Sequence, residues 1–281
     1  MHPCRLGPPV AGTAGQRRDT RTRLGCLLIC LLHAGLIAPG NSVAQAGPPF
    51  LTNDPGTPGP ANWEINLASM QTTEHGVRNL QMPQIDLNYG VGERVQLTFE
   101  IPYVIEAAGH EPQQSGWSNA YPGLKWRFLD QGEDGWQASA FPQVQTGSSI
   151  WAQQHGIADP GPRLLLPLEV SRAIGTVHVD VEAGYYVPKS GARERILGLV
   201  VGHSLTDRLE LDAELYDDRA SGAQPHFTAL DFGGRYRLSR SFFALFMAGR
   251  SVSGTAAGQP EFLGYAGIQI LLSDYGRSLS D

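Results

Sequence analysis

The alternation of apolar and polar residues in short runs is the feature that most constrains how this chain can fold. In the stretch IDLNYGVGERVQLTFEIPY, from Ile85 to Tyr103, apolar residues occupy every second position on both sides of a glycine-containing turn. This period of two predicts a β-hairpin with one apolar and one polar face. The apolar face of such a hairpin packs either on a soluble core or, in a barrel with a polar lumen, against lipid.

The same alternation recurs along the rest of the chain and predicts about twelve strands in an all-β fold. The predicted strands lie near 62–70, 80–91, 94–103, 120–129, 136–145, 163–171, 176–187, 194–204, 208–217, 226–238, 241–250 and 261–272. The sequence shows no convincing amphipathic helix, because apolar residues do not recur with the helical period.

The connections between the predicted strands alternate in length. Tight turns such as GERV, RAIG, LTDR and SRS alternate with long polar segments such as VIEAAGHEPQQSGWSN and TGSSIWAQQHGIADPGP. Short turns at one end and long loops at the other are typical of up-and-down outer-membrane barrels, in which the short turns are periplasmic. A soluble sandwich with Greek-key crossings gives no reason for this alternation. We therefore predict an antiparallel transmembrane β-barrel with its apolar face toward lipid.

The first residues have the order of a secretory signal peptide. Arginines between 17 and 23 precede the apolar segment LGCLLICLLHAGLIA and the small residues SVAQA. Cleavage is expected after Ala46, with Ala44 as the alternative. The predicted organisation is a signal peptide at 1–46, a periplasmic Pro/Gly-rich lead-in at 47–61, an outer-membrane barrel at 62–272 and a polar tail at 273–281.

The composition of the predicted mature chain excludes several classes of protein. All three cysteines lie in the leader, so the processed chain has neither disulfides nor cysteine metal ligands. Removing the leader leaves 16 basic and 26 acidic residues, a net charge of −10, with Lys125 and Lys189 as the lysines. An acidic chain of this kind is a poor nucleic-acid binder, so we expect no nucleic-acid partner.

The phase of the strands assigns residues to the two faces of the predicted wall. Five aromatic residues on the lipid-facing phase fall near the periplasmic ends and are predicted to lie at the lipid interface: Trp63, Tyr89, Phe128, Trp136 and Tyr236. The opposite phase is rich in charge, and its candidates for lining the lumen are Lys125, Arg127, Arg163, His178, Asp180, Glu182, Glu210, Asp212, Glu214, Asp231, Arg235 and Arg237.

Two interpretations of the charged lumen residues remain open. The acids of the predicted strands 176–187 and 208–217 suit either a cation-attracting stripe or calcium site, or a ladder paired with neighbouring arginines. We favour the ladder, so neither a metal nor a cofactor is predicted. Lys125, Arg127 and Arg163 form either a transverse field across the lumen or salt bridges that plug it.

The sequence offers no convincing catalytic set. His203 and Ser204 are neighbours on one predicted strand, so their side chains point to opposite faces. We could not assemble a serine, a histidine and an acid from the spacing, and we predict that the protein is not an enzyme. An outer-membrane lipid hydrolase is the less favoured interpretation.

The segment after the leader, GPPFLTNDPGTPGPANWEINLA, together with PQIDLNYGVGERVQLTFEIPY and AYPGLKWRFLDQ, resembles a Gram-negative outer-membrane family labelled "putative MetA pathway of phenol degradation" or "transporter". This resemblance implies a porin-like channel or transporter for small, aromatic or hydrophobic molecules. It implies no catalytic residues.

We expect passive passage of solutes through a narrow charged lumen. The alternative is a closed structural barrel that binds a partner or lipid through its loops. The terminal strand GYAGIQILL is expected to be recognised by the barrel-assembly machinery. The other expected partners are outer-membrane lipid and a small-molecule solute.

Overall fold

The computed structural model describes residues 47–273, except 110–111, 133–134, 190–192, 222–225 and 256–258. The predicted leader and almost all of the polar tail lie outside the described residues. The described residues contain fourteen strands and one short helix. In chain order they are β1 Trp63–Glu74, β2 Val77–Val91, β3 Val95–Ala108, β4 Gln114–Trp117, β5 Tyr121–Asp130, β6 Trp136–Ala140, β7 Gln143–Gln145, α1 Ile150–Gln154, β8 Arg163–Ile174, β9 Val177–Pro188, β10 Glu194–Ser204, β11 Leu209–Ala220, β12 His226–Arg237, β13 Phe242–Gly254 and β14 Phe262–Leu272. Within the described residues, no helix is both long and apolar enough to cross a membrane.

The strands form a closed antiparallel barrel with twelve wall positions, because two positions are each built from two segments. β4 and β5 both pair with β3, and β6 and β7 both pair with β8. The ring closes where β1 pairs with β14, from Trp63 opposite Leu272 to Thr73 opposite Phe262. The predicted fold class is confirmed, and each of the twelve predicted runs overlaps one wall position.

The break between β6 and β7 has a local cause at Pro142. Proline has no backbone N–H and cannot donate to a strand ladder. The Phe141 N–H donates to the Pro167 carbonyl at 3.1 Å, and the Pro142 carbonyl accepts from the Leu124 N–H at 3.0 Å. The wall therefore stays hydrogen-bonded on both sides of the interruption.

Several strands extend further toward the long-loop end than the sequence predicts. β1 and β2 meet at a two-residue turn, His75–Gly76, where a loop over about 71–79 was expected. Both turn residues have positive φ, 49° and 78°, which fits a tight hairpin turn with glycine at the second position. The difference in length between the two sets of connections is consequently smaller than predicted, although residues 146–162 remain a long loop.

The two faces of the wall differ as the alternation predicts. On β3, Leu97 is 47% exposed on the outer surface, whereas Gln96 is 7% exposed and points inward. The same contrast separates the apolar and charged residues of β8, β9 and β11, where exposed and buried positions alternate residue by residue. The apolar residues of the opening hairpin therefore cover the outside of the barrel.

The segment that precedes β1 lies inside the barrel, which corrects the predicted periplasmic lead-in at 47–61. Phe50 is buried against inward-facing apolar residues that include Val200, Leu245 and Met247. Thr52 has no exposed surface. The chain then reaches the short-turn end, where the Ala61 N–H donates to the Gly90 carbonyl at 3.0 Å and leads into β1. We call residues 50–54 the inner segment.

The longest loop, residues 146–162, packs against β3 at the end of the barrel away from the short turns. α1 lies within it, and Ala152, Ile157 and Ala158 form a small buried cluster with Val104 of β3. The Asn119 side chain binds both ends of this loop. It donates to the Thr146 carbonyl at 2.7 Å and accepts from the Asp159 N–H at 2.8 Å.

Candidate functional site

Most of the predicted lumen-lining residues meet inside the barrel because they share the inward phase of adjacent strands. Nine are buried in the lumen wall or against the inner segment: Lys125, Glu169, His178, Asp180, Glu182, Glu210, Asp212, Glu214 and Asp231. Eight of these nine are among the twelve predicted lumen residues, and the ninth, Glu169, lies on the inward phase of β8. We refer to the acids among them on β8, β9, β11 and β12 as the acidic wall.

The acidic wall binds the backbone of the inner segment. Glu214 accepts from the Thr52 N–H at 2.6 Å and from the Leu51 N–H at 3.2 Å. Glu182 accepts from the Asn53 N–H at 2.8 Å. A hydrogen bond to a charged acceptor contributes about 1.5–3 kcal/mol, more than a bond between neutral groups. Three consecutive backbone N–H groups therefore fix the inner segment across β9 and β11.

Lys125 of β5 links the inner segment to Glu169 of the acidic wall. Its ammonium donates to the Asp54 carbonyl and lies 3.4 Å from Glu169 Oε2. Ser139 also donates to Glu169. Burial in the lumen raises the pKa of Asp54 to about 6, against the opposing effect of nearby Lys125. The one buried lysine thus holds both a wall carboxylate and the inner segment.

A glycine gives the inner segment the room that it needs. A Cβ built on Gly198 of β10 would lie 2.0 Å from the Thr52 hydroxyl oxygen and 2.8 Å from its Cβ. Both distances are far below van der Waals contact, so any larger residue at this position would have to displace Thr52. The wall therefore has both the space for this segment and the carboxylates that bind its backbone.

Among the predicted lumen acids of β9 and β11, Glu210 has the arginine partner that the ladder interpretation predicts. Arg235 lies 3.1 Å from Glu210, and Arg163 lies 2.9 Å from Glu194 and 3.2 Å from Asp159. Arg127 contacts Asp130 at 3.2 Å near the short-turn end. Arg237 is exposed, with its guanidinium 5.7 Å from the Phe243 ring centroid. Lys125, Arg127 and Arg163 are all in ion pairs, as in the salt-bridge interpretation.

On the side of the lumen formed by β1–β3, amide side chains surround the acids Glu64, Asp86 and Glu100. Asn66 and Asn88 both donate to Asp86 Oδ2 at 2.9 Å, and Gln96 donates to Asn88 Oδ1 at 2.7 Å. We call this group, with Gln84, Thr98 and Glu100, the amide wall. These side chains were visible as the polar phase of the sequence, but nothing in the sequence showed that they would bind one another.

A cavity of about 550 Å³ lies between the amide wall, the inner segment and the long loop. Its volume falls within the 300–1,000 Å³ usual for small-molecule sites. Aromatic side chains from several strands line it together with the amides: Tyr121, Phe141, Tyr186, Tyr216 and Tyr265. The sequence analysis missed these four tyrosines, although each lies on the inward phase of its strand.

The five predicted interface aromatics all lie at the short-turn end of the outer surface. Trp63, Phe128, Trp136 and Tyr236 are exposed, and Tyr89 is half-buried. The rings of Trp63 and Tyr89 lie 4.8 Å apart, and the Arg172 guanidinium lies 5.1 Å from the Trp136 ring. Amphipathic rings near the periplasmic rim of outer-membrane barrels meet lipid headgroups, so the lipid interface remains the prediction for these five residues.

Comparison with solved structures shows which known proteins share this fold. The chain superposes on the COG4313 outer membrane channel from Pseudomonas putida F1 with a TM-score of 0.58 at 12% identity, covering 81% of this chain and 100% of that one. It superposes on the KdgM porin with a TM-score of 0.53 at 8% identity, covering 74% and 98%. The fold is that of an outer-membrane β-barrel.

The barrel also superposes on the KdgM porin in complex with disordered oligogalacturonate, with a TM-score of 0.50 at 8% identity and coverage of 74% and 98%. No protein-family model matches the sequence, and no curated protein matches it. The resemblance to the family labelled for phenol degradation is therefore not confirmed. At these identities the structural likeness concerns the fold alone and does not indicate a solute.

Proposed function

We propose that the protein is a passive outer-membrane channel for small molecules, narrowed by its own inner segment. The observation that carries this proposal is a cavity of about 550 Å³ inside a closed barrel with a polar lumen. A barrel of eight strands has just enough interior for its side chains, and one of sixteen leaves an aqueous channel. Twelve wall positions leave space that one extended segment partly fills. The proposed mechanism is diffusion and involves no chemical step.

The lining of the cavity favours aromatic solutes that carry hydroxyl or other polar groups. Tyr121, Tyr186 and Tyr216 offer ring faces and hydroxyl groups, and Gln84 and Gln96 of the amide wall offer hydrogen bonds. A purely hydrophobic solute would leave these groups without partners, which is costly in a confined space. This refines the aromatic or hydrophobic solutes expected from the sequence toward phenol-like compounds.

The acidic wall gives the proposed channel its ion preference. Asp180, Glu182, Asp212 and Glu214 are buried on neighbouring inward positions. Low-dielectric walls focus the field of such groups within a narrow lumen and concentrate cations there. We expect weak cation selectivity that is most pronounced at low ionic strength, where screening is weak.

The second candidate function is a closed structural barrel that binds a partner or lipid through its loops. The contacts of the inner segment with Glu182 and Glu214 favour it, because they fill part of the lumen. In both functions we propose that the barrel-assembly machinery recognises β14, which closes the barrel against β1.

Planar-bilayer recording and liposome swelling distinguish the two functions. The protein is compared with a variant that lacks residues 48–58 behind an intact leader. We expect small, cation-preferring conductance from the full chain, larger conductance from the shortened variant, and faster swelling with phenolic solutes than with apolar ones of equal size. A folded barrel migrates differently in gel electrophoresis before and after heating, and we call this difference the heat-dependent band shift. If both proteins show this shift but neither conducts ions nor admits solutes, the channel proposal is wrong and the structural barrel gains support.

A further inference from the structure

A cluster of one histidine and three carboxyl groups lies in the lumen wall, apart from the residues that line the cavity. His178 and Asp180 belong to β9, and Glu210 and Asp212 belong to β11. β10 runs between these strands, and its Gly202 pairs with His178 on one side and with Asp212 on the other. The register therefore brings side chains from two non-neighbouring strands together across a single glycine.

The distances within this cluster match those between ligands of one metal ion. His178 Nε2 lies 3.4 Å from Asp212 Oδ1 and 3.5 Å from Asp180 Oδ2. Zinc binds histidine nitrogen and carboxylate oxygen at about 2.0–2.2 Å, so neighbouring ligands of a tetrahedral ion lie about 3.4 Å apart. Donor atoms of His178, Glu210 and Asp212 all lie within 4.8 Å of one another.

The imidazole at the centre of the cluster has no other role in the described part of the chain. His178 is 0% exposed, and neither of its ring nitrogens makes a hydrogen bond. Both carboxylate oxygens of Asp180 and one of Asp212 also lack hydrogen-bond partners. Buried polar atoms without partners are costly and rare, and one bound cation would satisfy His178 Nε2 and the neighbouring carboxylate oxygens together.

Gly202 gives the His178 imidazole and the Asp212 carboxylate the room to approach each other across β10. A Cβ at this position would lie 2.0 Å from Asp212 Oδ1 and 2.3 Å from His178 Nε2. Any side chain here would therefore push the imidazole and the carboxylate apart. The absence of a side chain at the point where the two strands face each other is a second, independent feature of the same site.

The four residues are not equivalent as ligands. Glu210 already lies 3.1 Å from Arg235 Nε and accepts from the Ser204 hydroxyl at 3.2 Å. The ligand atoms of His178, Glu210 and Asp212 all lie within 4.8 Å of one another, so these three form the core of the set, and Asp180 joins it through its contact with His178. An imidazole favours borderline cations such as zinc over calcium or magnesium, which prefer oxygen ligands throughout.

We propose that His178, Glu210 and Asp212, with Asp180 as the outer member, form a binding site for a divalent transition-metal cation of the Zn²⁺ class. A bound ion joins β9 to β11 across β10, close to Glu182 and Glu214, which hold the inner segment. Its charge also balances acids that no lysine or arginine of the described chain pairs with. Glu210 and Asp212 keep a small exposed area, which places the entry path in the lumen.

Titration calorimetry with ZnCl₂ on tag-free, detergent-folded protein tests this proposal. We expect one Zn²⁺ per chain in the unmodified protein, loss of this binding in His178→Gln, and at least tenfold weaker binding in Asp212→Asn. The matched control is His226→Gln, which removes a half-buried histidine from β12, outside the cluster, and should leave the binding unchanged. Co²⁺ in place of Zn²⁺ should give a tetrahedral absorption band that His178→Gln abolishes.

Several outcomes would overturn the site. The proposal fails if the unmodified protein binds no Zn²⁺, or if His178→Gln and His226→Gln weaken binding equally, since exposed histidines would then be the ligands. Binding of Ca²⁺ with no binding of Zn²⁺ would exclude the transition-metal class. If His178→Gln lacks the heat-dependent band shift of a folded barrel, Asp180→Asn and Asp212→Asn decide the question, and unchanged Zn²⁺ binding in both would refute it.

Discussion

The amide wall and the acidic wall line opposite sides of one lumen and satisfy their polar groups in different ways. In the amide wall, side chains bind one another: Asn66 and Asn88 share Asp86, and Gln84 donates to Glu100 at 2.7 Å. In the acidic wall, Glu182 and Glu214 bind backbone N–H groups that come from outside the wall.

This difference shows why the cavity lies where it does. In the amide wall the side-chain N–H donors already bind acceptors of the same wall, so this surface attracts no fixed occupant and leaves room for a solute. A surface of inward carboxylates carries a large desolvation cost unless donors are supplied. The inner segment and Lys125 supply those donors on the acidic side, so the chain fills that side of the lumen and leaves the other side open.

The largest expected effect follows from Lys125→Met. The change leaves Glu169 buried without its cation and removes the donor to the Asp54 carbonyl. We expect the barrel to lose about 3–5 kcal/mol of stability, the usual cost of breaking a buried ion pair from one side. Urea unfolding followed by the heat-dependent band shift measures it. The double change Lys125→Met with Glu169→Gln should recover most of the loss, and a failure to recover would show that the ion pair is not the cause.

The next effect follows from changing Glu182 and Glu214 together to glutamine, which keeps their shape. Three backbone donors would then meet neutral acceptors, which weakens each bond by about 1 kcal/mol. If the inner segment moves as one unit, its displaced fraction should rise roughly 100-fold. Single-channel open probability reports this change, with accessibility of a cysteine placed at Thr52 as a second measurement. An unchanged open probability would mean that these carboxyl groups are already neutral in the barrel.

A change in the amide wall should affect stability and leave the inner segment in place. Asn88→Ala removes a donor to Asp86 and the acceptor of Gln96 and Thr98. Leaving buried polar groups unpaired should cost about 1–3 kcal/mol of unfolding free energy. Open probability should stay that of the unmodified protein. If Asn88→Ala raises the open probability as much as the change of Glu182 and Glu214 to glutamine, the amide wall also holds the inner segment and the two walls do not differ in this respect.

The smallest expected effect is a pH dependence of the inner segment through Asp54. Burial raises the pKa of Asp54 from 3.8, its usual value in water, to about 6. Protonation therefore favours the buried position, and this stabilisation is complete below pH 3.8 and is lost as the pH rises through about 6. Between pH 7 and pH 5 the inner segment should become about tenfold harder to displace.

Single-channel recording at the two pH values, with Asp54→Asn as the control, measures this effect. The variant should lose the part of the pH dependence that belongs to Asp54, because its side chain does not titrate. An identical pH response in both proteins would assign the response to wall carboxyl groups instead.

The barrel itself could be predicted from the sequence because its causes are local. Alternation in runs such as 85–91 and 95–103 sets both the strand and its two faces, since side chains on a strand point to opposite sides by geometry. The tight turns fix neighbouring strands as antiparallel pairs. The ends of the strands were less predictable, because residues such as those at 71–79 extend β1 and β2 only once the neighbouring ladder is present.

The contents of the lumen could not be predicted from the sequence, because they depend on contacts between residues far apart in the chain. Thr52 and Glu214 are separated by 162 positions, and only the closed ring brings them to 2.6 Å. His178 and Asp212 meet across Gly202 for the same reason. The sequence by itself determined strands, faces and compartment through period-two alternation. The tertiary structure decided which inward groups meet, because ring closure and register alone set distances across a lumen.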